Sequence, residues 1–369
     1  MTIKSITMPK WGLAMQEGTL VKWAVAEGDT VKAAQEIADI ETSKIANVFE
    51  SPVGGVVKRL VAKDGDLLPV GALLAVVAEA KTTDADVDAF VADFLANFKV
   101  EASSADTGPK PQVTEVGGKK LRYLAVGEGT GTPLLMIHGF GADLGAFMFN
   151  QAVLAEGRTV YAVDLPGHGS SAKDVGDGSP ATLAADIAGF IEAIGLQKVH
   201  LAGHSLGGAI AVHLADKMPG KVASLSLIAP WGFGPEISSP FIEGFISEQR
   251  AKKLRPVLEM LVANPAMVTG DMVEDVLKFK RLDGALDCLT KVGNQIARDN
   301  RQPGSVRDIA VKQSIPVAVI WGEEDQVLPA KHADGLPGAF KVHKLAGAGH
   351  IVHMEKANEV NAAIAALIA

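Results

Sequence analysis

The pattern of apolar and polar positions divides the chain into two regions of different character. In residues 2–79 the two kinds alternate in short runs that break at Gly-Asp pairs, which is typical of short strands joined by tight turns. From Leu121 onward, apolar runs alternate with segments of helical spacing, which predicts a parallel sheet covered by helices on both faces. The predicted organisation is multidomain: an all-β domain in residues 1–80, a linker with one short helix in 81–112, and an α/β domain in 113–369.

The first region is an internal repeat. Residues 27–29 match residues 64–66 at a constant offset of 37. Gly28 and Gly65 suit turn positions that need a positive φ. Two such halves can form two small sheets around one core, and Lys44 then falls at the tip of the hairpin between them.

The residues around Lys44 resemble the lipoyl domains of 2-oxo-acid dehydrogenase complexes. The residues that carry the resemblance are Met8-Pro9-Lys10, Gly12, Met15, Glu17-Gly18, Trp23, Glu27-Gly28-Asp29, Val31, Ile40-Glu41-Thr42-Ser43-Lys44, Gly55 and Val70-Gly71-Ala72-Leu73-Leu74. Ser43 and Ala34 depart from the usual residues. The resemblance implies lipoate attached to Lys44 through an amide bond. A biotinyl domain has the same shape, but biotinylated lysines usually lie between methionines, so Ser43 and Ile45 favour lipoate.

The net charge, the cysteine count and the apolar runs limit which partners and which cellular compartment we expect for this chain. The formal net charge of -8 argues against non-specific binding to nucleic acid or to anionic membranes. The single cysteine, Cys288, excludes internal disulfides and a Cys-rich metal site, so we expect no metal. The chain shows no signal-peptide pattern and no apolar run of membrane-spanning length, and we expect a cytoplasmic protein.

A short segment separates the two regions. Alternating aspartates and apolar residues in 84–95 predict one amphipathic helix, and residues 101–111 are typical of a flexible linker. Dehydrogenase acyltransferases often carry a small partner-binding domain here, and this segment is too short for one. How other subunits dock therefore stays open.

A nucleophile elbow is predicted in the second region. The predicted strand 198–202 leads into Gly203-His204-Ser205-Leu206-Gly207, and a helix follows. The turn between strand and helix is strained, so small residues are needed on both sides of the serine. Ser205 is thus the candidate nucleophile, with His204 interpreted as packing of the elbow.

The acid and the base follow in chain order. Asp325 comes after a predicted strand and is preferred to Glu323, Glu324 and Asp164 as the acid. His350, in Gly-Ala-Gly-His, is preferred to His353 as the base. We expect His350 to take the Ser205 proton while Asp325 orients the imidazole and stabilises its charged form.

An oxyanion hole is predicted from the backbone. His138-Gly139-Phe140-Gly141 follows the strand 133–137, and the N–H groups of Phe140 and Leu206 would bind the oxyanion. His168 is interpreted as a loop residue, and Cys288 as an inert core thiol.

These segments together resemble the α/β-hydrolase family across residues 113–369. Residues 236–310 interrupt the strand pattern with helices and are expected to form a cap over the site. The cap contains Arg250, Lys252, Lys253 and Arg255. These side chains could meet the phosphates of coenzyme A, but a solvated helix face is the favoured interpretation.

The combination of regions is more specific than either alone. Ordinary lipoyl acyltransferases carry His-x-x-x-Asp-Gly, and residues 279–284 have Phe279 in place of that histidine. The whole architecture resembles the dihydrolipoamide acetyltransferase components of bacterial acetoin dehydrogenase complexes. The resemblance implies acetyl transfer from Lys44-bound lipoate to coenzyme A, with thiamine-diphosphate-dependent acetoin dehydrogenase subunits and dihydrolipoamide dehydrogenase as partners.

Two alternatives stay open at this point. The triad alone cannot separate transfer to coenzyme A from transfer to water, so a serine thioesterase with a fused carrier is the second hypothesis. A non-catalytic scaffold is the third, and the complete triad argues against it.

Overall fold

The computed structural model describes residues 3–11, 15–33, 35–42, 46–98 and 109–369. Lys44, the predicted lipoyl attachment site, lies outside the described residues, as do Gly12, Ala34, Ser43 and Ile45. The chain forms two compact units, one mainly from residues 1–108 and one mainly from residues 109–369. Each unit has its own sheets and its own apolar core.

Eight strands build the first unit. They are β1 (Lys4–Thr7), β2 (Glu17–Trp23), β3 (Thr30–Val31), β4 (Glu36–Glu41), β5 (Ala46–Glu50), β6 (Gly55–Leu60), β7 (Leu67–Pro69) and β8 (Leu73–Ala78). They pair as two four-stranded sheets, in the orders β1-β8-β6-β3 and β5-β4-β2-β7. Leu20, Ile40 and Leu74 are fully buried in one shared core, which confirms the predicted pair of small sheets.

The hydrogen bonds of the first unit repeat with the offset of the sequence. Gly28 N–H donates to Val57 O at 2.8 Å, and Gly65 N–H donates to Leu20 O at 2.7 Å. The two bonds are equivalent in the repeat, because Gly65 corresponds to Gly28 and Val57 corresponds to Leu20 at the offset of 37 residues. Both glycines have positive φ, 96° and 89°, as predicted for these turns.

Acidic side chains tie the two halves together in the same reciprocal way. Glu27 Oε1 accepts from Leu60 N–H at 2.8 Å, and Asp64 Oδ1 accepts from Trp23 N–H at 3.0 Å. Glu27 and Asp64 are repeat equivalents, as are Trp23 and Leu60. The symmetry therefore extends from the backbone to these side chains.

The predicted helix of the segment 81–112 packs on the first unit. It is α1 (Asp84–Asn97), and Thr83 caps it by accepting from Asp86 N–H. Val87 is fully buried against Leu73 and Val76 of β8. Because α1 is anchored in this way, it forms part of the first compact unit.

The second unit is built on one eight-stranded sheet. Its strands are β9 (Gln112–Val116), β10 (Lys119–Val126), β11 (Leu134–Ile137), β12 (Val160–Val163), β13 (Val199–His204), β14 (Val222–Ile228), β15 (Val317–Gly322) and β16 (Lys341–Leu345). Their order is β16-β15-β14-β13-β11-β12-β10-β9.

The sheet departs from the predicted parallel arrangement at one edge. Strands β11 to β16 pair in parallel, but β9 and β10 form a hairpin, and β10 pairs antiparallel with β12. The tight turn Gly117-Gly118 between β9 and β10 permits this hairpin because both glycines have positive φ.

Nine α-helices are described in the second unit. They are α2 (Pro180–Ala193), α3 (Leu206–Lys217), α4 (Ser239–Ser247), α5 (Ala251–Glu259), α6 (Gly270–Lys280), α7 (Ala285–Ile296), α8 (Arg307–Val311), α9 (Val352–Glu355) and α10 (Ala357–Ile368). Helices α4 to α8 lie in sequence between β14 and β15, in the segment predicted to be the cap.

The topology of the sheet brings the candidate residues to one edge. Phe140 follows β11, Ser205 follows β13, Asp325 follows β15 and His350 follows β16. These four strands are parallel, so their carboxyl ends lie at the same edge, where open α/β sheets place their sites.

Candidate active site

Ser205 occupies a strained turn. It joins β13 directly to α3 and has φ 52° and ψ −116°, a conformation that residues with a side chain rarely adopt. A Cβ added to Gly203 would lie 2.3 Å from Gly207 O, and one added to Gly207 would lie 2.0 Å from Ile137 O. Both flanking glycines are therefore required by close backbone approach, as the sequence predicted.

The backbone of Ser205 is fixed on both sides. Its N–H donates to Ile228 O at 2.9 Å, and its carbonyl accepts from Gly208 N–H at 2.9 Å and from Trp231 N–H at 3.0 Å. Only 9% of the residue is exposed. These bonds tie the turn to the neighbouring strand and to α3, and so they stabilise its strained conformation.

Asp325 is a fully buried carboxylate with four donors. Oδ1 accepts from the N–H groups of Val327 and Leu328 at 2.8 and 2.9 Å. Oδ2 accepts from Trp321 Nε1–H at 3.1 Å and faces His350 Nδ1 at 2.8 Å. Four hydrogen bonds offset much of the cost of burying this group and fix its direction.

His350 is oriented by that contact. An ionised carboxylate can only accept, so His350 Nδ1 carries the proton and Nε2 keeps a lone pair with which to accept one. The carbonyl of His350 accepts from His204 Nε2–H at 3.0 Å, and the two rings lie 4.7 Å apart. Because His204 directly precedes Ser205, this bond joins the histidine segment to the elbow.

The other candidate acids make different contacts from Asp325. Glu324 accepts from Ala348 N–H at 3.0 Å instead of facing an imidazole. Asp164 is buried, and its Oδ2 accepts from Arg122 Nε–H at 2.6 Å. Of the candidate acids, Asp325 is the one whose carboxylate hydrogen bonds with His350.

The remaining buried histidines near the elbow are neutral. Burial, with a smaller contribution from nearby His350, lowers the pKa of His353 to about 3. Burial also holds the pKa of His204 well below its usual value. The sequence assigned His204 to packing and missed its hydrogen bond to His350, which depends on a residue 146 positions away.

The predicted oxyanion loop passes beside the elbow. A Cβ added to Gly139 would lie 3.1 Å from Ser205 Cβ, so the backbone here is close to the nucleophile. His138 fixes the loop, since its Nε2 accepts from Leu165 N–H at 3.0 Å. Leu206 begins α3, and the first N–H groups of a helix have no acceptor within the helix. The role of Phe140 and Leu206 stays a prediction.

A helix of the predicted cap covers this loop. The ring of Phe245 in α4 lies 5.5 Å from the ring of Phe140, and a Cβ on Gly141 would lie 2.4 Å from Phe245. Lys280 is buried and donates to Phe245 O at 2.5 Å and to Glu248 O. Burial lowers the pKa of Lys280 to about 8.

The basic residues of the cap do not form a uniform patch. Lys252 and Lys253 are exposed on α5. Arg255 is half-buried and donates to Val268 O. The two lysines are therefore exposed to solvent, whereas the guanidinium of Arg255 is occupied by the carbonyl of Val268. Coenzyme A binding by this cluster stays a prediction.

In the first unit, the ladder between β4 and β5 ends at the pair Glu41 and Ala46. Lys44 belongs to the connection between these strands, and the connection lies largely outside the described residues. Among the described residues, no group of three or more His, Cys, Asp or Glu side chains could hold a metal ion. In the same described part of the chain, no helix has the length and apolarity needed to cross a bilayer.

Each of the two units matches a known protein family. The family model for the alpha/beta hydrolase fold matches residues 132–357, and the model for biotin-requiring enzymes, of biotinyl and lipoyl type, matches residues 4–77. The chain is 44% identical to the dihydrolipoyllysine-residue acetyltransferase component of the acetoin cleaving system of Pseudomonas putida, over 97% of this chain and 96% of that protein. The chain belongs to this acetyltransferase family. A second member, from Cupriavidus necator, is 42% identical over 98% of this chain and 96% of its own length.

Solved structures agree with the fold of the second unit of this acetyltransferase family member. A meta-cleavage product hydrolase from Pseudomonas fluorescens IP01 aligns with a TM-score of 0.62 and 19% identity, covering 69% of this chain and 96% of that one. A putative lipase from Acinetobacter baumannii aligns with a TM-score of 0.62 and 23% identity, covering 69% and 89%. At these identities the likeness shows the fold alone.

Proposed function

We propose that this acetyltransferase family member passes an acetyl group from lipoate on Lys44 to coenzyme A, by way of Ser205, within an acetoin cleaving system. The observation that carries the proposal is the contact between Asp325 and His350 beside a strained Ser205, in a chain that also contains a lipoyl-type unit. The names of the relatives supply the acetyl group and the acetoin system.

The first unit fits lipoate as a covalent group. Its two halves obey the repeat down to individual hydrogen bonds, and Lys44 falls in the connection between β4 and β5. Lipoate attached there would supply a thiol that carries the acyl group. The residues of the second unit then perform the transfer.

The first half of the reaction uses the three side chains in sequence. His350 Nε2 takes the proton from Ser205 Oγ as Oγ attacks the carbonyl carbon of the incoming thioester. Asp325 stabilises the imidazolium through the bond to Nδ1. Collapse of the tetrahedral species breaks the carbon–sulfur bond, and His350 returns the proton to the leaving sulfur. The product is an acetyl ester of Ser205.

The second half reverses the roles of the same groups. The thiol of coenzyme A gives its proton to His350 and attacks the ester carbonyl. Collapse expels Ser205 Oγ, which recovers the proton from His350. In both halves, the negative oxygen would be bound by the N–H groups of Phe140 and Leu206, and the loop of Phe140 is held by Phe245.

A serine thioesterase is the second candidate. The solved structures that share the fold include hydrolases of several kinds, and water can replace coenzyme A in the second half-reaction without any change to the triad. Family membership favours the transferase. We further propose thiamine-diphosphate-dependent and dihydrolipoamide dehydrogenase subunits as partners, and the cytoplasmic location stays a prediction.

The two candidates differ in their product. The full-length protein is incubated with a soluble acetyl thioester of dihydrolipoamide, with and without coenzyme A, and acetyl-CoA and free acetate are both quantified. We expect acetyl-CoA to exceed acetate, and acetate formation to fall when coenzyme A is added, because both acceptors compete for one acyl-Ser205. Release of acetate at one rate in both conditions, without acetyl-CoA, would show a thioesterase.

A further inference from the structure

Glu355 joins the histidine segment to a distant part of the chain. Its Oε2 accepts from Gly349 N–H at 2.6 Å, directly before His350. Its Oε1 accepts from Ala263 N–H at 2.7 Å, in the segment that follows α5. One carboxylate therefore bridges two backbone segments that lie 86 residues apart in sequence.

The two segments also touch on either side of His350. Ile351 N–H donates to Leu261 O at 3.1 Å. A Cβ added to Gly349 would lie 2.8 Å from Leu261 O, so the backbones approach closely before His350 as well. His350 is thus held between contacts to residues 261–263, and Glu355 provides the side-chain link.

The charge of Glu355 changes near neutral pH. The pKa of Glu355 is raised to about 7, chiefly by burial and to a smaller extent by the charge of Asp325, and the bonds from Ala263 and Gly349 and the charge of His350 oppose this shift. The ionised carboxylate accepts both N–H bonds. The protonated form turns one oxygen into a donor and loses part of the bridge.

We propose that Glu355 is a positioning residue for acyl transfer at Ser205, because it holds His350 in place through Gly349 and Ala263. This inference rests on the proposed function for its substrate, but its geometry concerns the triad alone. Glu355 acts through His350 and not through contact with the acyl group. The bridge couples the segment after α5 to the general base.

The test compares Glu355→Gln with Glu359→Gln in the full-length protein. The amide keeps the shape of Glu355 and can accept only one of the two bonds, whereas Glu359 is exposed in the first turn of α10. We expect Glu355→Gln to lower kcat for acetyl-CoA formation about tenfold with KM nearly unchanged, because misplacement of a base affects the transition state. Glu359→Gln should leave both constants unchanged.

The pH dependence of kcat/KM distinguishes a positioning role from a purely structural one, because a purely structural role would leave its shape unchanged. Protonation of Glu355 weakens the bridge and should cost about as much as the Gln substitution, so log kcat/KM of the native protein should show an additional fall of about one log unit on the acid side, centred near pH 7. In Glu355→Gln this titrating group is gone, so the additional fall should be absent. An unchanged pH profile, or a Glu355→Gln protein with native kcat at pH 8, would overturn the proposal.

A second reaction separates this proposal from the proposed function. The rate at which a fluorophosphonate probe phosphonylates Ser205, with loss of fluoride, depends on His350 whatever the natural substrate is. If the native protein forms no acetyl-CoA, the proposed function fails, and the same pH comparison with the probe still tests Glu355. If Glu355→Gln does not fold, Glu355→Asp keeps a carboxylate and should fold, but it should lose most of the additional acid-side fall and react more slowly, because the shorter side chain cannot span both N–H groups. Native probe reactivity in Glu355→Asp would contradict the bridge.

Discussion

The two compact units form their proposed functional sites in different ways. In the first unit, equivalent hydrogen bonds recur at the 37-residue offset of the repeat, and Lys44 lies between the two copies in the sequence. In the second unit, Ser205 depends on Asp325 and His350, which lie 120 and 145 residues further along the chain. A carrier lysine needs only a defined position on a stable fold, whereas a nucleophile needs a precise network from several loops. Changes to single buried side chains of the second unit should therefore lower the rate of acyl transfer far more than they lower the lipoylation of Lys44.

The largest effect that separates the two units is expected for Asp325→Asn. The amide cannot keep all four hydrogen bonds, and its NH2 group would favour the wrong tautomer of His350. We expect kcat/KM with a soluble acetyl thioester to fall roughly 10³-fold or more. Intact mass should show lipoylation of Lys44 unchanged.

Glu324→Gln is the matched control for that change. Glu324 is exposed and accepts one bond from the segment of His350, at Ala348 N–H. We expect less than about a threefold loss of kcat/KM, since exposed single bonds contribute little. Equal losses in both variants, or a parallel loss of lipoylation in Asp325→Asn, would contradict the distinction between the units.

Acidification should also distinguish the units, with a smaller effect. All nine histidines lie in the second unit, and none lies in residues 1–108. Burial lowers the pKa of His138 to about 4 and those of His168 and His353 to about 3. These groups are neutral when folded and become protonated at pH 5 when unfolded, so their stabilising contribution is present above the ordinary histidine pKa of about 6.5 and is lost as pH falls toward 4.

The size of this effect follows from linkage. Each of the three histidines should reduce the free energy of unfolding by about 2 kcal/mol between pH 7 and pH 5. Glu355 acts in the opposite direction, because its raised pKa makes folding more favourable as pH falls below 7, by about 2 kcal/mol. The net expectation from these four groups is a loss of about 4 kcal/mol in the second unit. His200 and His204, whose pKa values burial also lowers, act in the same direction.

Urea unfolding of the full-length protein at pH 7 and pH 5 measures this loss. Brief hydrogen exchange at one fixed pH followed by peptide mass spectrometry reports each unit separately. The midpoint should fall for peptides of the second unit and stay nearly constant for those of the first. A fall of the same size in both units would show that the histidines do not set the acid sensitivity.

Much of the fold and the candidate site could be predicted from local patterns. The glycines around Ser205 follow from the close backbone approach at the elbow, and Asp325 follows from its place after a buried strand. The hairpin of β9 and β10 was missed, although Gly117-Gly118 is a two-residue turn signal, because β9 is the exposed edge strand and contains no buried residue. Glu355 was missed because its role depends on a bond to Ala263, 92 residues away, for which the sequence has no periodic signal.

In the proposed reaction the acyl group passes through Ser205. The most direct measurement is peptide mass spectrometry of the protein after brief reaction with a soluble acetyl thioester in the absence of coenzyme A, followed by acid quench. We expect one acetyl group on the peptide that contains Ser205, its disappearance when coenzyme A is added, and neither acetyl-peptide nor acetyl-CoA with Ser205→Ala. Acetyl-CoA formation by Ser205→Ala at the native rate would contradict the claim.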